Sequence, residues 1–316
     1  STITQVASTK EEKEIEFVEP EKCVVIMTEG GLIKRVPSAS FRTQKRNGKG
    51  VKTQDDITNA VIRTNTIDSL MVFSNKGRMY RLLVNDIPVG TNSTKGQSVK
   101  SLIAMETDEE PAVMYSIYRD TDAAYVLFVT KNGLVKKTSL EEYVKTKKKT
   151  GIAAITIKDG DELAAVSLVK DEQLILVTKN GMAIRFDSKE VSPTSRATSG
   201  VKGINLGADD EIVAAIPVRN TNDKLAVFVN GGYCKKFGLD ELPLQKRAGK
   251  GLMCYKPTDT TGKVVAATLV EDSDCVLILG DKSSICIEAS EIPNLGRASI
   301  GNVVIKNSKV LSVSKV

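Results

Sequence analysis

Five of the six repeating units in this 316-residue chain carry a permanent cation at one address, four residues past a turn position: Arg35, Arg81, Lys137, Arg185 and Lys236. In three of them the preceding residue is basic as well: Lys34, Lys136 and Lys235. The sixth unit has Cys286 there. A second address, 18 or 19 residues past the turn, is glycine throughout: Gly50, Gly96, Gly151, Gly200, Gly251 and Gly301. The loop ahead of it is Gln44, Lys45, Arg46, Asn47, Gly48, Lys49, Gly50 in unit one and Gln245, Lys246, Arg247, Ala248, Gly249, Lys250, Gly251 in unit five. Elsewhere it keeps Lys95, the run Lys147, Lys148, Lys149, and then Arg196 and Arg297. An arginine fork grips phosphate oxygens through two donors, lysine adds a point charge, and a glycine-punctuated backbone can turn N–H groups onto the same anion. The chemistry implied is anion recognition, repeated at fixed intervals.

Other chemistries are closed off. The chain has no histidine, which removes the commonest general base and zinc ligand. Its five cysteines (Cys23, Cys234, Cys254, Cys275, Cys286) are odd in number, form no CxxC pair and lie mostly in apolar runs, so they read as buried free thiols. Acidic residues gather away from the basic loops, at Asp55-Asp56, Asp108 to Glu110, Asp159 to Glu162 and Asp209 to Glu211. A net charge of +6 therefore understates the local field, and an extended polyanion fits better than a small anion. Aromatics are 4% with no tryptophan, too few to stack a single strand, and no helix is available for a major groove. Duplex DNA held by its phosphates along a curved surface is the expected partner.

The cations sit on a repeat of strands. Six apolar runs, among them LMVFSNKGRMYRL and LILVTKNGMAIRF, turn at Gly31, Gly77, Gly133, Gly181, Gly232 and Lys282, at intervals of 46, 56, 48, 51 and 50 residues. A period near 50 suits a blade of four short strands. In unit two the strands read Leu70 to Phe73, Arg78 to Val84, Ser98 to Ala104 and Ala112 to Tyr118. Six such sheets hide their edges best in a closed ring, with strand-like Ile15 to Val18 available to close it. Residues 1–14 read as a flexible linker or cut end, and 15–316 as one all-β domain. No leader and no bilayer-length apolar run is evident, which points to the cytoplasm. The seven tyrosines lie in or near strand patterns and read as packing residues.

The loop QKRNGKG resembles the basic, glycine-rich signature of the C-terminal domain of bacterial DNA gyrase A. GRMYRL, NGLVKKT, DGDEL and TSGVKGINLG extend the resemblance over nearly the whole chain, with Asn47 replacing the family's usual glycine. The resemblance implies a six-bladed β-pinwheel, a propeller-like ring with strands exchanged between blades. It implies right-handed wrapping of duplex DNA around the rim, supporting ATP-dependent negative supercoiling by the parent type IIA topoisomerase. Gln44, Lys45, Arg46, Gly48, Lys49 and Gly50 would secure the wrap. Partners would be DNA, the N-terminal breakage-reunion region of the same polypeptide and, indirectly, the ATPase subunit. No cofactor is implied for this domain, since ATP and Mg belong elsewhere in such an enzyme. The domain itself would be monomeric, non-catalytic, cytoplasmic and nucleoid-associated. Two alternatives remain: the related topoisomerase IV domain, which selects DNA geometry for decatenation, and a protein-interaction propeller.

Overall fold

The computed structural model describes residues 18–41, 58–91, 93–118, 120–145 and 150–316. Its first strands are β1 Lys22–Thr28, β2 Leu32–Pro37, β3 Thr58–Asn65, β4 Ser69–Ser74, β5 Arg78–Leu83, β6 Gln97–Ser98, β7 Pro111–Ile117 and β8 Tyr125–Thr130. The middle of the chain adds β9 Leu134–Ser139, β10 Ile152–Ala153, β11 Leu163–Val169, β12 Gln173–Thr178, β13 Met182–Asp187, β14 Val201–Lys202, β15 Ile212–Val218 and β16 Lys224–Val229. It ends with β17 Tyr233–Gly238, β18 Leu252–Met253, β19 Val264–Val270, β20 Cys275–Gly280, β21 Ser284–Glu288, β22 Asn302–Val303 and β23 Val310–Lys315.

These strands build six antiparallel sheets: β3-β1-β2-β6, β7-β4-β5-β10, β11-β8-β9-β14, β15-β12-β13-β18, β19-β16-β17-β22 and β23-β20-β21. The ring of six blades expected from the repeat is what forms. The distribution of strands differs from the expectation for unit two, in which all four strands shared one sheet. The short strand of each of units two to six lies instead on the preceding blade: Leu32 pairs with Ser98, and Met182 with Met253. Residues Val99–Leu102, expected as strand, form a helical turn. The exchange implied by the family resemblance is thus present in this chain.

Tight hairpins set each blade's register. Gly181 closes the turn between β12 and β13 at φ +89°, and a side chain there would collide with the Tyr255 carbonyl of the exchanged segment. The central strands are buried on both faces, and alternation decides which neighbour each residue meets. In β8, Val126 and Phe128 pack toward blade two, while Leu127 and Val129 pack toward blade four. Six such interfaces succeed one another around the ring. The sixth joins Leu277 and Leu279 of blade six to Val24 and Ile26 of blade one, so the circle closes by side-chain packing. The segment expected to close it, Ile15 to Val18, lies outside the described residues except for Val18, as do 1–14.

Successive third strands β3, β7, β11, β15, β19 and β23 contact one another around the axis. The exchanged strands form the opposite edge of the first five sheets, the rim. Cys275 and Cys286 are joined by a disulfide between β20 and β21, a correction to the expectation of five free thiols. Cys23, Cys234 and Cys254 are buried and free, their thiols pushed up by burial to about 11, 12 and 12.

Candidate nucleic-acid interface

Strand exchange creates a local problem. In units two, four, five and six the segment between the 3-10 turn and the rim strand leaves its own blade, and its carbonyls need donors on the blade before it. The repeated cations supply them. Arg35 Nε donates to the Ile87 carbonyl at 2.7 Å, and Lys137 Nζ to the Ser188 carbonyl at 3.0 Å. Arg185 donates to the carbonyls of Leu239 and Leu242 at 3.1 and 3.2 Å. Lys236 Nζ reaches the Ala289 carbonyl at 2.6 Å and pairs with Asp272 at 3.1 Å. In each case the acceptor lies at a 3-10 turn of the following unit. Arg81 is half-buried and donates to Ser69 Oγ at 3.3 Å.

The residue before is used in the same way. Lys34 Nζ donates to the carbonyls of Thr91 and Thr94, both at 2.7 Å. Lys136 Nζ donates to Ser195 and Arg196 carbonyls at 3.2 and 2.6 Å, and Lys235 Nζ to those of Gly296 and Arg297 at 2.9 and 2.6 Å. Burial pulls the Lys136 and Lys235 ammonium groups down to about 8, against the carbonyls and the rings of Phe128 and Tyr255 that favour the charge.

These contacts correct the expectation of a solvent-facing basic belt. Lys136, Lys137, Lys235 and Lys236 are 1%, 5%, 0% and 1% exposed, so their ammonium groups are beyond the reach of a phosphate. They fasten one blade to the next. Lys34, Arg35 and Arg185 are half-buried and spend their donors on carbonyls as well.

The arginine four residues before the rim glycine has a related task. Arg196 Nη1 donates to the Ala153 carbonyl at 3.1 Å, Arg247 Nη1 to that of Lys202 at 2.6 Å, and Arg297 Nη1 to that of Met253 at 3.0 Å. Each acceptor is the last residue of the previous unit's rim strand, so the three bonds form a ladder along the rim from blade two to blade five. The glycine that follows lets its strand lie close to the blade: Gly251 has φ +75°, and a side chain there would strike the Ala183 carbonyl. Between them Ala248 has φ +71°, a left-handed conformation that disfavours a Cβ.

The cations left to solvent are fewer. Lys95, Lys246 and Lys250 are exposed and form no ion pair among the described residues, while Gln245 is half-buried with its N–H on the Arg185 carbonyl. Around Arg247 the same rim adds exposed Lys189 and Lys202, which neither cation address includes. Lys202 sits two residues past Gly200 on β14, a position the repeat identifies once that glycine is recognised as the start of the rim strand. The acidic turns lie at the opposite edge of each sheet, where Lys76 pairs with Asp108, Lys131 with Glu162 at 3.0 Å and Lys179 with Glu211 at 3.8 Å. Charge is therefore partly sorted: several lysine–carboxylate pairs lie near the axis, and on the rim of blades three to five exposed lysines stand beside Glu190 and Glu241, whose carboxylates accept the backbone N–H groups of Arg247 and Arg297. Gln44, Lys45, Arg46, Gly48, Lys49 and Gly50, with Lys147 to Lys149, lie outside the described residues. No group of three or more Cys, Asp or Glu that could hold a metal occurs among the described residues, and no helix there is long and apolar enough to cross a membrane.

Known proteins share this fold. A family model described as the DNA gyrase C-terminal domain, beta-propeller, matches residues 24–59, 68–110, 124–170, 172–219, 223–271 and 287–314. The DNA gyrase A protein of Lawsonia intracellularis is 33% identical over 302 residues, which are 93% of this chain and 37% of that protein. Its Mycobacterium bovis counterpart is 35% identical over 294 residues, 90% of this chain and 35% of that protein. The chain thus spans about a third of the length of these relatives. Among solved structures, the DNA gyrase A C-terminal domain superposes with TM-score 0.81 at 27% identity, covering 93% of this chain and 99% of that one. The C-terminal domain of DNA topoisomerase IV gives 0.73 at 31% identity, covering 95% and 94%. With six blades, exchanged rim strands and matches in all six units, the chain belongs to the family of the DNA gyrase C-terminal domain.

Proposed function

We propose that this chain binds duplex DNA along its rim without base readout, bends it, and guides it into a right-handed wrap. It acts as the accessory DNA-wrapping part of a type IIA topoisomerase whose ATP-dependent negative supercoiling it supports. ATP, Mg and the breakage chemistry reside elsewhere in its own polypeptide and in the ATPase subunit, with the assembly in the bacterial cytoplasm. The observation that carries this reading is the exposed set Lys189, Lys202, Lys246 and Lys250, without ion pairs among the described residues, around Arg247, on an edge whose backbone the Arg247 guanidinium already fastens. A fixed scaffold presenting free ammonium groups suits phosphates spaced along a duplex. The loop Gln44 to Gly50 provides the first clamp, and its copy Gln245 to Gly251 the second.

A topoisomerase IV role is the second reading, favoured by the 31% identity to that domain. Anisotropy titration with a duplex of about 40 base pairs tests DNA binding itself, with affinity falling about 10³-fold or more between 50 and 200 mM salt if six or more phosphates are neutralised. Absence of binding at low salt, or binding indifferent to salt, contradicts the proposal. The sign of wrapping then separates the gyrase reading from the topoisomerase IV one.

A further inference from the structure

At one end of the central channel lies a cavity of 920 Å³ that the rim does not touch. We propose that it is a binding site for a small amphipathic anion, an organic carboxylate, phosphate or sulfonate with an apolar body. Its size lies within the range of small-molecule pockets, roughly 300–1,000 Å³. Its apolar side chains are Ala112, Val113, Ala164, Val213, Val265 and Leu311, contributed by successive inner strands of blades two to six, and polar groups make up about as much of the lining.

The mouth is charged, and blade five departs there from blades three and four, while in blade two the Asn75 N–H donates to the Glu110 carbonyl and in blade six the Asp281 N–H to that of Lys309. Lys131 donates its backbone N–H to the Glu162 carbonyl at 2.8 Å, and Lys179 to that of Glu211 at 2.8 Å, and in both blades the two side chains form an ion pair. Blade five keeps the backbone bond, Asn230 N–H to the Lys263 carbonyl at 2.9 Å, and reverses the chemistry. Asparagine stands in place of lysine, and lysine in place of glutamate. Lys263 is exposed, lines the cavity and forms no ion pair among the described residues. The lining therefore holds three lysines against two glutamates, an excess of one positive charge at the entrance to a partly apolar hollow. Such walls focus the field of that charge, and the ligand they select joins an anionic head to an apolar body.

The test uses 8-anilinonaphthalene-1-sulfonate, which has both parts. Titrated into the 316-residue chain, it should give saturable fluorescence with one site per chain. Lys263→Glu, which gives blade five the asparagine and glutamate that blade two has at Asn75 and Glu110, should weaken binding by about tenfold or more. Ala112→Trp should block the wall, and Lys170→Glu, exposed outside the lining past the far end of β11, should leave affinity within about twofold. Duplex binding at the rim should persist in all three, and melting curves establish that each is folded. If Ala112→Trp does not fold, Lys263→Glu decides alone. Unchanged affinity in Lys263→Glu, or dye uptake without saturation at one site, overturns the proposal.

Discussion

Lys235 and Arg297, two cations 62 residues apart, meet tail to backbone: the Lys235 ammonium donates to the Arg297 carbonyl at 2.6 Å. The arginine's own side chain turns outward to the Met253 carbonyl in the neighbouring sheet. Positive charge here joins blades, and only what remains after that joining is left for a ligand. Lys235→Met, nearly isosteric, strands two carbonyls and should cost roughly 2 to 4 kcal/mol of stability, read as a shift in denaturation midpoint.

The same lysine has a pH signature. Burial lowers its folded pKa to about 8 from the ordinary 10.5, so between these values the unfolded chain binds the extra proton. Stability contributed at this site therefore rises with pH across that window, as the cost of burying the charge is relieved. Wild type should gain on Lys235→Met in melting temperature between pH 8 and pH 10. A gap that is flat or narrows would show that the ammonium is not desolvated in the fold.

Ala248 sits at φ +71° in the fifth-unit loop, where Asn47 stands in the first and glycine is usual in the family. Ala248→Gly should stabilise the chain by about 0.5 to 1 kcal/mol, relief of the Cβ clash outweighing added chain entropy. Ala248→Val should do the reverse. Equal midpoints for the three would contradict the left-handed geometry.

The rim cations and the buried ones should separate in a salt titration. Lys246→Ala with Lys250→Ala removes two phosphate contacts and should lower the slope of log K against log salt by about 1.8, with the fold unchanged. Lys236→Met should lower stability and leave that slope intact in protein that remains folded. A slope that follows Lys236 and ignores Lys246 and Lys250 would invert the assignment.

Much of this was legible in the residues, and the limits have physical reasons. Turn glycines such as Gly181 and the second address at Gly251 stand out because each needs a backbone that a side chain would spoil, so blade number and period follow directly. Which blade receives a short strand does not show in a period, since moving Gln97–Ser98 from its own sheet to the previous one leaves the spacing unchanged. The cation addresses were visible, but their meaning depended on partners about 50 to 60 residues away, as with Lys137 and the Ser188 carbonyl. An alternating strand pattern would have placed Lys136 or Lys137 outward. Exchange covers both, and four of the five address cations that resembled a binding belt, Arg35, Lys137, Arg185 and Lys236, became the fastening of the ring.

The central claim is a right-handed wrap secured by Gln44 to Gly50. Nicked circular DNA, closed by ligase with the chain bound and then freed of protein, reports it as a change in linking number. A positive shift that grows with protein and is lost when Gln44 to Gly50 are replaced by alanine is the predicted result. No shift, a negative shift, or one that survives in the folded alanine variant would contradict the account.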